Sequence, residues 1–135
     1  MNRPGRITPF DLGLWNGRQE AAFSRVASFV RDQGAVPGIQ LAHAGRKTSH
    51  ARPWENRAAL SPERGGWKVV GPSPIPWDAD DLMPRELSTG DIALLVEKFR
   101  TAAKRALNAG FCILELHAAH GYLLHSFLSP SDQSP

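Results

Sequence analysis

The chain has 135 residues, 41% hydrophobic and 21% charged, with a formal net charge of +3. That is enough for one domain with its own core, and its basic residues are scattered rather than massed, which argues against a nucleic-acid partner. A single cysteine, Cys112, excludes an internal disulfide; with no apolar leader and no window of membrane-spanning length, the expectation is a cytoplasmic protein without a membrane partner.

Residues 1–15, with Pro4, Gly5, Pro9 and Gly13, read as loop. A helix is predicted over 18–33, with Ala22, Phe23, Val26, Phe29 and Val30 on one face, Asn16 as its cap and Gly34 as its terminator. The segment "AVPGIQLAH", 35–43, suits a buried strand with Pro37 near its start. Residues 44–87 carry six prolines and three tryptophans (Trp54, Trp67, Trp77) but no long periodic segment. A loop this long is usually functional or disordered, and the tryptophans, which can bury apolar area, argue for order.

A second helix is predicted over 89–109. Ser88 and Asp91 form a variant of the capping box, and Ile92, Leu95, Val96, Phe99, Ala103 and Ala106 make a buried stripe that ends at Gly110. "FCILELH", 111–117, is apolar on both faces apart from Glu115, as in a parallel strand covered on both sides. The order helix, strand, long loop, helix, strand contains a βαβ unit and predicts an α/β fold.

Ligands of parallel α/β folds gather at the carboxyl ends of the strands. His117 lies at such an end, with His120 and Tyr122 in the following turn, and His43 ends the other strand. Three readings of the first trio stay open. Each side chain is structural and satisfied by backbone; or His117, His120 and His125 hold a metal, although zinc sites normally show a clearer third ligand; or two imidazole N–H groups clamp an oxygen that gains negative charge while the phenol gives a proton. Gln40 interrupts an apolar strand. It either bonds to neighbouring backbone or meets a ligand edge that both donates and accepts, such as the pyrimidine edge of a flavin, with Ala42 leaving room for a planar ring.

"GIQLAHAGRK" (38–47), "PSPIPW" (72–77) and "ELHAAHGYLLHSFLSP" (115–130) together resemble the Old Yellow Enzyme family, and "GRITPFDLGLWN" (5–16) is similar to the segment before the second barrel helix in its bacterial, xenobiotic-reductase-like branch. The resemblance implies a partial TIM (β/α)8 barrel, from about the second helix to just past the fourth strand. Residues 1–135 would be a fragment of a single FMN-binding domain. It implies FMN as cofactor, NAD(P)H as reductant and an enone-type small molecule as substrate, whose activated C=C bond is reduced. Position by position, it assigns His117 and His120 to the substrate's carbonyl oxygen, Tyr122 to proton donation and Gln40 to the flavin's pyrimidine ring, with no metal ligand.

A whole barrel needs about 250 residues and eight strands, of which two are found here. Strand edges would be left unpaired, so a second copy of the chain or a complementary barrel fragment is the expected partner. The isolated chain is expected to bind FMN weakly or not at all. A noncatalytic remnant or split-barrel assembly partner is the alternative. The dienoyl-CoA reductase branch, with an iron–sulfur cluster, is a third, its cluster cysteines lying downstream of Pro135.

Overall fold

The computed structural model describes residues 3–133. The first helix, α1, runs Gly17–Asp32. Asn16 accepts a hydrogen bond from the Gln19 amide, and the Gln19 side chain reaches back to the Asn16 backbone. Two orphan amide groups of the first turn are thereby satisfied. At the other end the Gly34 amide donates to Arg31 and that of Ala35 to Val30, at 2.9 and 3.2 Å. This pattern needs left-handed backbone at Gly34, whose φ is +79°. Strand β1 follows at Gly38–Leu41, shorter than the predicted 35–43.

The second predicted helix, α2, runs Thr89–Asn108 with Ser88 and Asp91 capping each other reciprocally. Its C-terminal closure repeats that of α1. Gly110 donates to Leu107 and Phe111 to Ala106, at 2.9 and 3.1 Å. The left-handed turn at Gly110, φ +96°, strains any residue with a side chain, and a Cβ there would also displace the Arg31 guanidinium, 2.7 Å away. β4, Ile113–Leu116, then pairs in parallel with β1, Gly38 opposite Ile113 and Leu41 opposite Leu116. The predicted βαβ unit is therefore present.

Side chains of a strand alternate between faces. Ile39 and Leu114 pack outward against a core of Leu14, Ala27, Ala106, Ala109 and Phe111, together with Phe23. The alanines let α1 and α2 lie close over the strands. The opposite face carries Gly38, Gln40, Ile113 and Glu115, all exposed. The strand expected to be covered on both sides is thus covered on one. On the inner face Ile113 is 56% exposed, and even Leu116, of outward parity at the strand's end, is equally open.

The predicted helix stripes are likewise only half right. Phe23 and Ala27 turn inward, but Val26 and Phe29 on α1 and Val96 on α2 are exposed. An apolar stripe marks surface that can be covered, and these helices have more of it than this chain covers.

The 44–87 segment is ordered by polar contacts more than by its tryptophans. Two short strands within it, β2 (Val70–Gly71) and β3 (Arg85–Glu86), pair in parallel and were not foreseen. The buried Ser49 hydroxyl donates to Leu60 O at 2.8 Å and accepts from the Trp67 amide at 2.9 Å. Arg46 and Asp132, each 7% exposed, form an ion pair at 2.5 Å that ties this segment to the end of the described chain. Trp54 and Trp77 stay exposed and Trp67 is half-buried, so the apolar burial in this segment comes from Leu60, Val69 and Pro84 rather than from the tryptophans.

Candidate functional site

The His117 amide continues the strand ladder, donating to Leu41 O at 2.9 Å, after which the chain turns. His120 and Gly121 take left-handed backbone, φ +59° and +69°. Helix α3, Leu123–Leu128, then starts at Tyr122. The turn is pinned to the end of β1 by the Leu123 amide, which donates to His43 O at 2.9 Å. Gly121 has little room for a side chain, since a Cβ would lie 3.0 Å from the Trp77 ring and 3.2 Å from Lys47 Nζ.

This turn brings three of the four expected site residues together. The rings of His117 and His120 are 5.1 Å apart, and those of His117 and Tyr122 4.8 Å apart and perpendicular. The two imidazoles bond to each other, His120 Nδ1 to His117 Nε2 at 3.3 Å. One nitrogen of that pair must donate and the other accept. An oxygen clamped by both would replace this mutual bond and require both nitrogens to donate.

Gln40 stands elsewhere on the same inner face. Its partner across the strands is Glu115, two residues before His117 and so about 7 Å further down the strand. Gln40 was read as a buried amide; it is exposed, and its Nε2 donates to Glu115 Oε1 at 2.9 Å. The bond is side chain to side chain, not to backbone. The other N–H and the carbonyl oxygen of the carboxamide have no further bond among the described residues, and Gly38 and Ala42, small residues of the same parity, stand on either side of Gln40 in the chain. That donor–acceptor pair on a flat, uncrowded strip fits the edge of a planar heterocycle.

The metal reading does not fit. His125 Nδ1 accepts the Gly121 amide at 2.8 Å, so it closes the turn. Among the described residues no three His, Cys, Asp or Glu side chains are placed to hold an ion. His43 is also structural. It is 2% exposed, with Nδ1 accepting the Gly45 amide at 3.1 Å. Burial, assisted by the Lys98 charge, pushes its pKa down to about 4, so it is neutral at physiological pH.

Two residues escaped the sequence reading. Glu115 was noted only as a polar exception, although it shares strand parity with His117 and register with Gln40. Lys47 was given no role, and no periodicity marks it. Its Nζ donates to His120 O at 2.7 Å and sits 3.2 Å above the Trp77 ring. Burial first, then the Arg46 and Arg57 charges, lower its pKa. A cavity of about 590 Å³ opens beside it, lined by His120 and Tyr122 together with Lys47, Arg57, Trp54 and Trp77. His117 and Gln40 are not part of that lining.

Residues 1–134 match the model of the NADH:flavin oxidoreductase / NADH oxidase family. The chain is 48% identical over 130 residues to an NADH:flavin oxidoreductase of Gibberella zeae, covering 93% of this chain and 32% of that protein. It is 48% identical over 126 residues to an NADPH dehydrogenase of Listeria monocytogenes, covering 93% and 33%. Among solved structures, morphinone reductase in complex with tetrahydroNAD superposes with a TM-score of 0.76 at 29% identity, over 91% of this chain and 35% of that one. A variant of the same reductase reaches 0.81 at 28% identity, over 99% and 38%. The chain thus spans about a third of the length of the curated relatives it matches.

Proposed function

Because the chain belongs to the NADH:flavin oxidoreductase / NADH oxidase family, the Old Yellow Enzyme family, and folds as part of its TIM barrel, we propose that it supplies the substrate-activating rim of an FMN-dependent NAD(P)H oxidoreductase that reduces the activated C=C bond of α,β-unsaturated carbonyl compounds. The observation that carries this reading is the convergence of His117, His120 and Tyr122 at the carboxyl end of β4. Domain organisation follows the same reading: residues 1–135 are part of one FMN-binding barrel domain.

When bound, FMN supplies the hydride chemistry, with NAD(P)H as its reductant. Gln40 holds the pyrimidine edge of the cofactor through the free donor and acceptor of its carboxamide, and Glu115 fixes that carboxamide's rotamer. His117 and His120 exchange their mutual bond for two bonds to the substrate's carbonyl oxygen. Negative charge building on that oxygen is stabilised there, and the β-carbon becomes electrophilic. Tyr122, with its ring edge against His117, delivers its phenolic proton to the α-carbon.

The test is reconstitution. The chain with FMN alone is expected to show no stoichiometric flavin absorbance. Mixed with a chain carrying the remaining barrel strands of a relative, it should take up FMN and reduce cyclohexenone. In that assembly Tyr122→Phe should slow enone reduction by about 10²-fold or more and leave flavin reduction by NAD(P)H unchanged. Flavin uptake in no such mixture would favour the second reading, a noncatalytic remnant, which draws support from the uncovered Ile113 and Leu116.

A further inference from the structure

We infer that the cavity beside Tyr122 is a subsite for an anionic group, a carboxylate or a phosphate, held by Lys47 and Arg57 against the Trp77 wall. The argument is one of uncompensated charge. Lys47, Arg52 and Arg57 line the cavity, with Asp11 as its carboxylate. Asp11 directs both oxygens at its own loop, Oδ2 accepting the Ile7 and Thr8 amides at 2.7 and 3.1 Å and Oδ1 the Thr8 hydroxyl at 2.6 Å, so it forms no ion pair with the lining cations among the described residues, although its one negative charge still counts against theirs. His50, also in the lining, is matched by Asp81 at 2.8 Å. Arg52 is matched by Glu55 through two bonds of 3.1 and 2.6 Å, and stacks on Phe10 and Trp54. Arg46, behind Lys47, is matched by Asp132.

Two cations remain. Lys47 has one N–H on the His120 carbonyl and no ion pair among the described residues, the Asp132 carboxylate that favours its ammonium being already bonded to Arg46. Arg57 makes no hydrogen bond or ion pair among the described residues. It also sits in left-handed backbone, φ +54°, directly after Asn56 at +64°. Two successive side-chain-bearing residues in that region cost energy that a free loop tip would shed. The positive charge of Arg57 is one of the causes that depress the Lys47 ammonium, after burial and Arg46, so the two cations repel each other across the cavity. An anion between them turns that repulsion into two charge-assisted hydrogen bonds, and Trp54 and Trp77 offer flat apolar walls to an unsaturated body. The source of the anion is either the acceptor substrate or the ribose 2′-phosphate of the dinucleotide. Only its placement beside a reacting carbon rests on the reaction proposed above; the binding itself needs no flavin.

The experiment is calorimetric titration of the flavin-free full chain with cinnamate and with cinnamamide, which share ring and double bond and differ in charge. A parallel pair is NADPH and NADH, which differ by one phosphate. The expected result is a preference of about tenfold or more for the anionic member of at least one pair, falling with added salt. Discrimination in the first pair assigns the anion to the acceptor, and in the second to the dinucleotide. Arg57→Gln, on an exposed turn, should erase the preference, as should Lys47→Gln, with far-UV circular dichroism unchanged. Equal binding within both pairs, or a preference that survives both substitutions, overturns the inference.

Discussion

The two faces of the β1–β4 pair differ in sequence and in surroundings. Outward, Ile39, Leu41 and Leu114 meet helices brought close by Ala27 and Ala106, both wholly buried. Inward, Gly38, Gln40, Ile113 and Glu115 are all exposed. The outer face therefore holds this chain together, and the inner face is the open one on which the proposed site stands. An apolar residue on a strand reports that it tolerates burial; only the neighbouring elements decide whether it is buried.

The largest expected break lies just beyond the outer face. Asp132→Ala leaves the buried Arg46 guanidinium uncompensated and should cost about 3–5 kcal/mol, read by urea denaturation. Next comes the contrast between faces. Leu41→Ala, at a position 2% exposed, should cost about 2–4 kcal/mol. Ile113→Ala, on the inner face, should cost well under about 1 kcal/mol. Similar losses for the two would mean that the inner face is covered in solution, by a second copy or another partner, and sedimentation would detect it.

Acid should act through the end of β1. His43 titrates near 6.5 when unfolded and at about 4 in the fold. Its contribution to stability is full above pH 6.5 and is lost progressively as the pH falls toward 4, because the unfolded chain takes up the proton first. His43→Gln should flatten the stability profile in that window. A modest effect belongs to α2, where Ser88→Ala should cost about 1 kcal/mol, less than either large loss and more than Ile113→Ala. The Asp91 carboxyl there is held well below the usual carboxylate range by Arg85 and then Ser88. Its share of the cap is present above the ordinary carboxylate pKa and lost only at lower pH, a dependence Asp91→Asn should remove.

The helices were legible because their signals are local. Asn16, Gly34, Ser88 and Gly110 each act within one turn, and all four do what their types suggest. The trio at 117–122 was legible for the same reason, since a short turn after a strand keeps its side chains near one another. The α/β class and the barrel resemblance followed from motifs in fixed order. What could not be read depended on distant chain. The exposure of Gln40, Val26, Phe29 and Val96 is set by what does or does not pack on them, and the bond from Gln40 to Glu115 needs the register between strands 75 residues apart. Lys47 reaches the rim across 73 residues, with no periodicity to announce it.

That lysine has a mechanical consequence. Its grip on the His120 carbonyl, with Trp77 pressed beneath it, makes the segment after β1 a strut for the imidazole corner. Remodelling the strut would shift the His120 corner while β4 stayed fixed, and because Lys47 Nζ lies 5.9 Å from the Tyr122 ring, it would reshape the cavity wall beside that phenol at the same time.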